Sequence, residues 1–170
     1  MTEDHQSLFG RRTRQMQEHT VQLVTFELGA ATLALDISAV QEISRNSQLT
    51  KVPHAPKYVR GIANLRGDVV TILNLHSHLG ILANPATKES RILIIKDASE
   101  TVGLWVDRVS DILPVQVRDL SPPPNNLQGI SRTYVQGVFQ ANGKLILKID
   151  LQNLLNCCHN HSPPAAALCL

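Results

Sequence analysis

Two groups of side chains carry metal-ligating atoms. His76 and His78 stand two apart, and Cys157, Cys158, His159 and His161 crowd the C-terminal stretch. On a helix, residues two apart point away from each other. On a strand they share a face, but no cysteine or third histidine lies nearby in the sequence to complete a set of donors. Adjacent cysteines also lack the two- to four-residue spacing of a structural zinc site. Both groups therefore read as solvated side chains, with no metal centre. Asp36, Asp107, Asp111 and Asp150 fall where helix caps or solvent faces are expected, which accounts for them without acid–base catalysis. There is no Gly-x-x-x-x-Gly-Lys phosphate loop, no Gly-x-Ser-x-Gly elbow and no Gly-x-Gly-x-x-Gly after a strand. Cys157, Cys158 and Cys169 all sit near the C-terminus, so the interior holds no thiol nucleophile and no disulfide, and a reducing cytosol is the default. The expectation is a protein without catalytic residues and without a cofactor.

A different chemistry is written in a repeat. Residues 58–75 align without a gap on residues 134–151, with Tyr58, Val59, Gly61, Gly67 and Leu75 matching Tyr134, Val135, Gly137, Gly143 and Leu151. Residues 33–43 align in the same way on residues 102–112, in the same order along the chain. In the second copy Asn142-Gly143 is the favoured pair for a two-residue type I′ hairpin turn, where both residues need positive φ. In the first copy Arg66-Gly67 stands there, and arginine is a poor choice for positive φ. A position that breaks a local rule is where function competes with folding. The competing reading is a different turn that arginine adopts without strain. Gly61, Gly103 and Gly137, with Asn142 and Gly143, read as structural turn positions.

The elements around these positions are mostly strands. Val21–Leu28 mixes alternation with β-branched residues, Gly29-Ala30-Ala31 turns it, and Thr32–Leu35 returns. Asp36 can cap a helical turn with Ile37, Val40 and Ile43 on one stripe, although over 40–45 the pattern leaves helix and strand both open. Arg91–Lys96 is an apolar run bounded by charges, which suits a strand buried on both faces. Asn74 and Asp150 can each cap a short helix, and Gly80 can end the first. Trp105 has apolar neighbours and reads as core or lobe interface. Two copies are too few for a solenoid. The fold class expected is mostly β: two side-by-side SH3-like five-stranded barrels with short helices, each completing the other's core. The lobes are 21–88 and 89–155, between flexible tails at 1–20, which carries Arg11, Arg12 and Arg14, and at 156–170. At 170 residues and 43% hydrophobic content the chain can bury one such core. A net charge of +2 and 4% aromatic residues argue against nucleic acid. No apolar run of membrane-spanning length occurs, so direct membrane insertion is not expected.

The run Tyr58-Val59-Arg60-Gly61-Ile62-Ala63-Asn64-Leu65-Arg66-Gly67, followed by Val69-Val70 and Asn74-Leu75, closely resembles the signature of the CheW family of bacterial chemotaxis coupling proteins. Val40-Gln41-Glu42-Ile43, Val52-Pro53-His54-Ala55-Pro56, Gly103 with Val106-Asp107, and Tyr134-Val135-x-Gly137 support it, so the likeness covers about 21–155. The resemblance implies the paired SH3-like barrels and a non-catalytic adaptor. Such an adaptor joins the cytoplasmic tip of a chemoreceptor to the regulatory domain of a CheA-type histidine kinase, which has the same fold. Other CheW-like proteins are further partners. It implies a cytoplasmic protein recruited to the inner face of the membrane through receptors. It places the turn at Arg66 and the position of Glu42 on the receptor-side surface of the first lobe. Val40, Glu42, Asn64, Arg66 and Gly67 are then the expected partner-binding residues, with Arg66 and Glu42 close enough to pair. The family usually has proline at Thr71, aspartate at Asn74 and arginine at His76, so the partner preferred here can differ. The alternatives are a detached kinase regulatory module of the same fold and an unrelated double barrel that binds a small ligand.

Overall fold

The computed structural model describes residues 19–45, 48–96, 100–125, 127 and 129–160. In chain order these form β1 (Thr20–Leu28), β2 (Ala31–Asp36), β3 (Val40–Arg45), β4 (Val59–Leu65), β5 (Asp68–Asn74), α1 (Leu75–Leu79), β6 (Arg91–Lys96), β7 (Thr101–Val106), β8 (Arg108–Gln116), β9 (Val135–Ala141), β10 (Lys144–Ile149) and α2 (Leu151–Asn160). One five-stranded sheet has the order β8-β1-β2-β10-β9, the other β3-β6-β7-β5-β4. Among the described residues the outer strands of each sheet do not pair with each other, so the sheets are open rather than closed into barrels. The mostly β class with two five-stranded units stands.

The duplication is visible in the hydrogen bonding. Each sheet has one parallel pair, β2–β10 and β5–β7, and the rest are antiparallel. Thr71 pairs with Val102 in one sheet and Leu147 with Leu33 in the other, which is the same pair under the repeat. The two long hairpins bulge at the same place, beside Gly61 and beside Gly137. Tyr58 and Tyr134 are equivalent: the carbonyl of each accepts the backbone N–H of the residue that precedes a helix, Asn74 at 2.7 Å and Asp150 at 2.8 Å. Asp150 caps its helix through the Asn153 N–H, whereas the Asn74 side chain makes no such bond and donates to the Ser77 hydroxyl.

The sheets do not divide the chain into lobes 21–88 and 89–155. β1 and β2 join β8, β9 and β10 from the second copy, while β3, β4 and β5 join β6 and β7. The copies interleave because the chain changes sheet after β2 and again after β7. The central strands are covered on both faces. In β7, Val102, Leu104 and Val106 enter the large core shared by the two sheets, while Trp105 enters a smaller cluster with Ile72 and Ile92. In β1, Val24 and Phe26 face the shared core and Leu23 packs with Phe139 and Ile146. Burying each such side chain stabilises the fold by about 1.5–3 kcal/mol. The continuous apolar run Arg91–Lys96 follows from this double burial.

Three glycines expected at turns lie inside strands: Gly61 in β4, Gly103 in β7 and Gly137 in β9. They are sites of close approach. A Cβ on Gly61 would meet the Thr50 carbonyl at 2.6 Å, and one on Gly103 would collide with the Ile72 side chain. Gly137 lets Ser121 bridge β9 as Thr50 bridges β4. Residue 20 and residues 156–160 belong to elements rather than to tails. Residues 1–18, with the arginine cluster, and 161–170, with His161 and Cys169, lie outside the described residues, as does the side chain of His159.

Candidate protein-interaction site

Residues 40–45 form a strand. Asp36 caps only the single turn Ile37–Ala39, its Oδ1 accepting the Ser38 N–H at 3.0 Å and the Ser38 hydroxyl at 2.6 Å. Burial pushes the Asp36 carboxyl up, but the two Ser38 bonds and the Lys148 charge outweigh it and hold the group below its ordinary value. From Val40 the chain extends to pair with β6 as an outer strand. The register shifts between Val40 and Glu42, a bulge that puts the two on opposite faces. Val40 and Ile43 lie opposite Ile95 and Leu93 on the shared-core side, Glu42 and Ser44 lie opposite Ile94 and Ile92 on the other, and Ile43, expected on the inner stripe, is 39% exposed. Val40 packs on the shared core, away from the groove described below.

The β4–β5 turn settles the question posed by Arg66. Its φ is +55°, with Gly67 at +95°, against +52° and +73° for Asn142 and Gly143. Both hairpins close with the left-handed two-residue geometry, so arginine accepts a conformation that costs an ordinary side chain roughly 1–2 kcal/mol. Asn64 steadies the turn, its Oδ1 accepting the Gly67 N–H at 3.0 Å.

Held there, Arg66 Nη2 reaches Glu42 Oε2 at 3.1 Å. β3 and β4 are the two outer strands of one sheet, so the ion pair joins the ends of an open sheet. The Arg66 side chain is 84% exposed and that of Glu42 40%. Screening by water leaves such a pair worth little to folding, about 0–1 kcal/mol. The pair borders a groove of about 390 Å³ that also takes in Val69, Ile94, Glu100 and Thr101. Val69 is 69% exposed. A planar guanidinium beside an exposed aliphatic side chain is suited to a protein contact. The structure thus gathers Glu42, Asn64, Arg66 and Gly67, and leaves Val40 out. Val69 was missed because Val69-Val70 looks uniformly apolar, whereas strand alternation puts one of the two outside.

The equivalent groove in the other sheet, about 330 Å³, is lined by Arg108, Asp111, Asn142 and Lys144. Its turn carries no charge, and Lys144 pairs with Glu27 at 3.5 Å. The two faces share a shape and differ in chemistry.

The histidines expected in solvent are internal. His76 is 2% exposed, with Nε2 3.1 Å from each Asp107 oxygen. Asp107 also accepts the Gly29 N–H at 2.7 Å and the Asn84 amide at 3.3 Å, which ties a turn, a helix and a loop together. His78 lies between the twin tyrosines, its ring centroid 6.0 Å from Tyr58 and 5.2 Å from Tyr134. Cys158 Sγ lies 3.9 Å from His78 Nδ1, and the Cys158 carbonyl accepts the Tyr58 hydroxyl at 3.1 Å. Burial, reinforced by Cys157 and Glu100, pushes the Cys158 thiol up to about 11. Trp105 is core, with the Arg60 guanidinium 3.9 Å above its ring. Among the described residues no three His, Cys, Asp or Glu side chains are grouped to hold a metal ion, and no helix is long and apolar enough to cross a membrane.

A CheW-like domain model matches residues 22–157. The chain is 37% identical over 133 residues to the chemotaxis protein CheW of Rhizobium meliloti, covering 78% of this chain and 86% of that protein. It is 31% identical over 147 residues to the chemotaxis protein CheW of Treponema pallidum, covering 83% and 85%. Its fold is similar to the crystal structure of the scaffolding protein TtCheW from Thermoanaerobacter tengcongensis, with a TM-score of 0.74 and 31% identity over 82% of this chain and 90% of that one.

Proposed function

The chain belongs to the CheW-like family, and from that premise we propose that it is a non-catalytic chemotaxis adaptor. It couples the cytoplasmic tip of chemoreceptors to the regulatory domain of a CheA-type histidine kinase. It works in the cytoplasm and is drawn to the inner face of the membrane by its receptors. Several relatives are chemotaxis proteins and a similar solved chain is a scaffolding protein, which supports the scaffold role. The observation that carries the reading is Arg66. It is held at positive φ on a hairpin tip, exposed, and paired with Glu42, where the twin hairpin has a plain Asn-Gly turn. Strain accepted at an exposed turn, with little return in stability, is consistent with a contact made to something else.

The test is reconstitution of kinase autophosphorylation with receptor fragment, kinase and this chain. Activity is expected to rise only when all three are present, and Arg66→Ala should reduce that rise at least tenfold while the fold persists. ATP hydrolysis by the isolated chain, or full coupling by Arg66→Ala, overturns the reading.

A further inference from the structure

Neither copy of the repeat contains a complete sheet. The first supplies β1 and β2 to one and β3, β4 and β5 to the other, and the second supplies the remainder of each. Four strand pairs of fixed register join the copies: β1–β8, β2–β10, β3–β6 and β5–β7. The segment Gly80–Ser90 links the copies, and all of Leu82–Glu89 is exposed. At its start the Ile81 N–H bonds the His76 carbonyl at 2.9 Å and the Asn84 amide bonds Asp107 at 3.3 Å. At its end the Arg91 guanidinium bonds the Lys88 carbonyl at 2.8 Å and Glu89 pairs with Arg108 at 3.8 Å, both ties to residues of the second copy.

We propose that two copies of this chain exchange halves when they fold together. Residues 19–79 of one copy then pair with residues 91–160 of the other, with Gly80–Ser90 as the hinge. The strand pairs made between chains are the same, bond for bond, as those made within one chain, so neither core nor sheet is lost. What favours the closed monomer is the tether, which sets an effective concentration in the millimolar range. Shortening the tether or raising the chain concentration during folding removes that advantage. Eleven extended residues reach at most roughly 35–40 Å, enough to connect two units. Glu42 and Arg66 both lie in the first copy, so each exchanged unit keeps the pair and the dimer presents it twice.

The full chain is refolded from denaturant over a rising range of protein concentrations and sized by chromatography with light scattering. The dimer fraction is expected to rise with the refolding concentration and to persist on dilution. Deleting Ala83–Lys88 should bring dimers at concentrations at least tenfold lower. A second variant carries a site-specific protease sequence inserted between Ala86 and Thr87. Cutting its dimer should yield monomer-sized particles, each holding two fragments. A dimer that keeps its size after cutting is surface association and overturns the proposal. So does an unaltered chain that, like its Ala83–Lys88 deletion, stays monomeric at every refolding concentration.

Discussion

At the scale of single residues, the two hairpin turns form a built-in comparison. Arginine and alanine suffer alike at positive φ, so Arg66→Ala should lose only the exposed ion pair, less than about 1 kcal/mol. Asn142→Ala should lose about 1 kcal/mol by placing alanine at the φ of +52° that asparagine tolerates, a drop of roughly 2–4 °C in melting temperature. Arg66→Asn should melt at or above the parent, because relief of the turn offsets the lost pair. Scanning calorimetry of the three variants checks the order. Arg66 was legible because its twin exposed the broken rule. Glu42 was reached only through the family resemblance, because the bulge in β3 that turns it toward the groove leaves no mark in the pattern of residues 40–45. His76 was not legible: a histidine in a five-residue helix reads as solvated, and its partner Asp107 arrives thirty-one positions later.

At the scale of elements, α2 shows how a tail becomes structure. The stretch after Leu155 has no apolar period, yet the helix begun by Asp150 continues through it to Asn160. What keeps it there is long-range: the Tyr58 hydroxyl on the Cys158 carbonyl and the half-buried Cys158 beside His78. A chain ended at Leu155 should therefore be less stable than one ended at Asn160 by about 1–3 kcal/mol. Thermal melts of the two truncations, followed by far-UV circular dichroism, measure the difference. Equal melting temperatures would show that α2 contributes nothing beyond its first turn. Strand assignments fared better than helix ends because double burial leaves an unmistakable apolar run in β6, whereas a bond between residues a hundred positions apart leaves no local mark.

At the scale of the whole molecule, the repeat was legible and its interleaving was not. Two similar sequences do not say whether each closes on itself or on its twin, and the registers are the same in either case. The shared core, drawing on both sheets, makes one cooperative unit of them. Phe139→Ala, in the first sheet, should cost about 3–5 kcal/mol. It should also lower the unfolding midpoint of Trp105 fluorescence, in the other sheet, as far as it lowers the backbone signal. Two separate midpoints would mean that the sheets unfold apart. The interleaving also bears on how the protein is made. β2 needs β10 beside it, and Thr32 and Ile146 leave the ribosome more than a hundred residues apart. At roughly 5–20 residues per second the first hairpin waits many seconds for its neighbour. Throughout that interval it offers open strand edges, which makes the nascent first half a client for whatever shields newborn chains from one another.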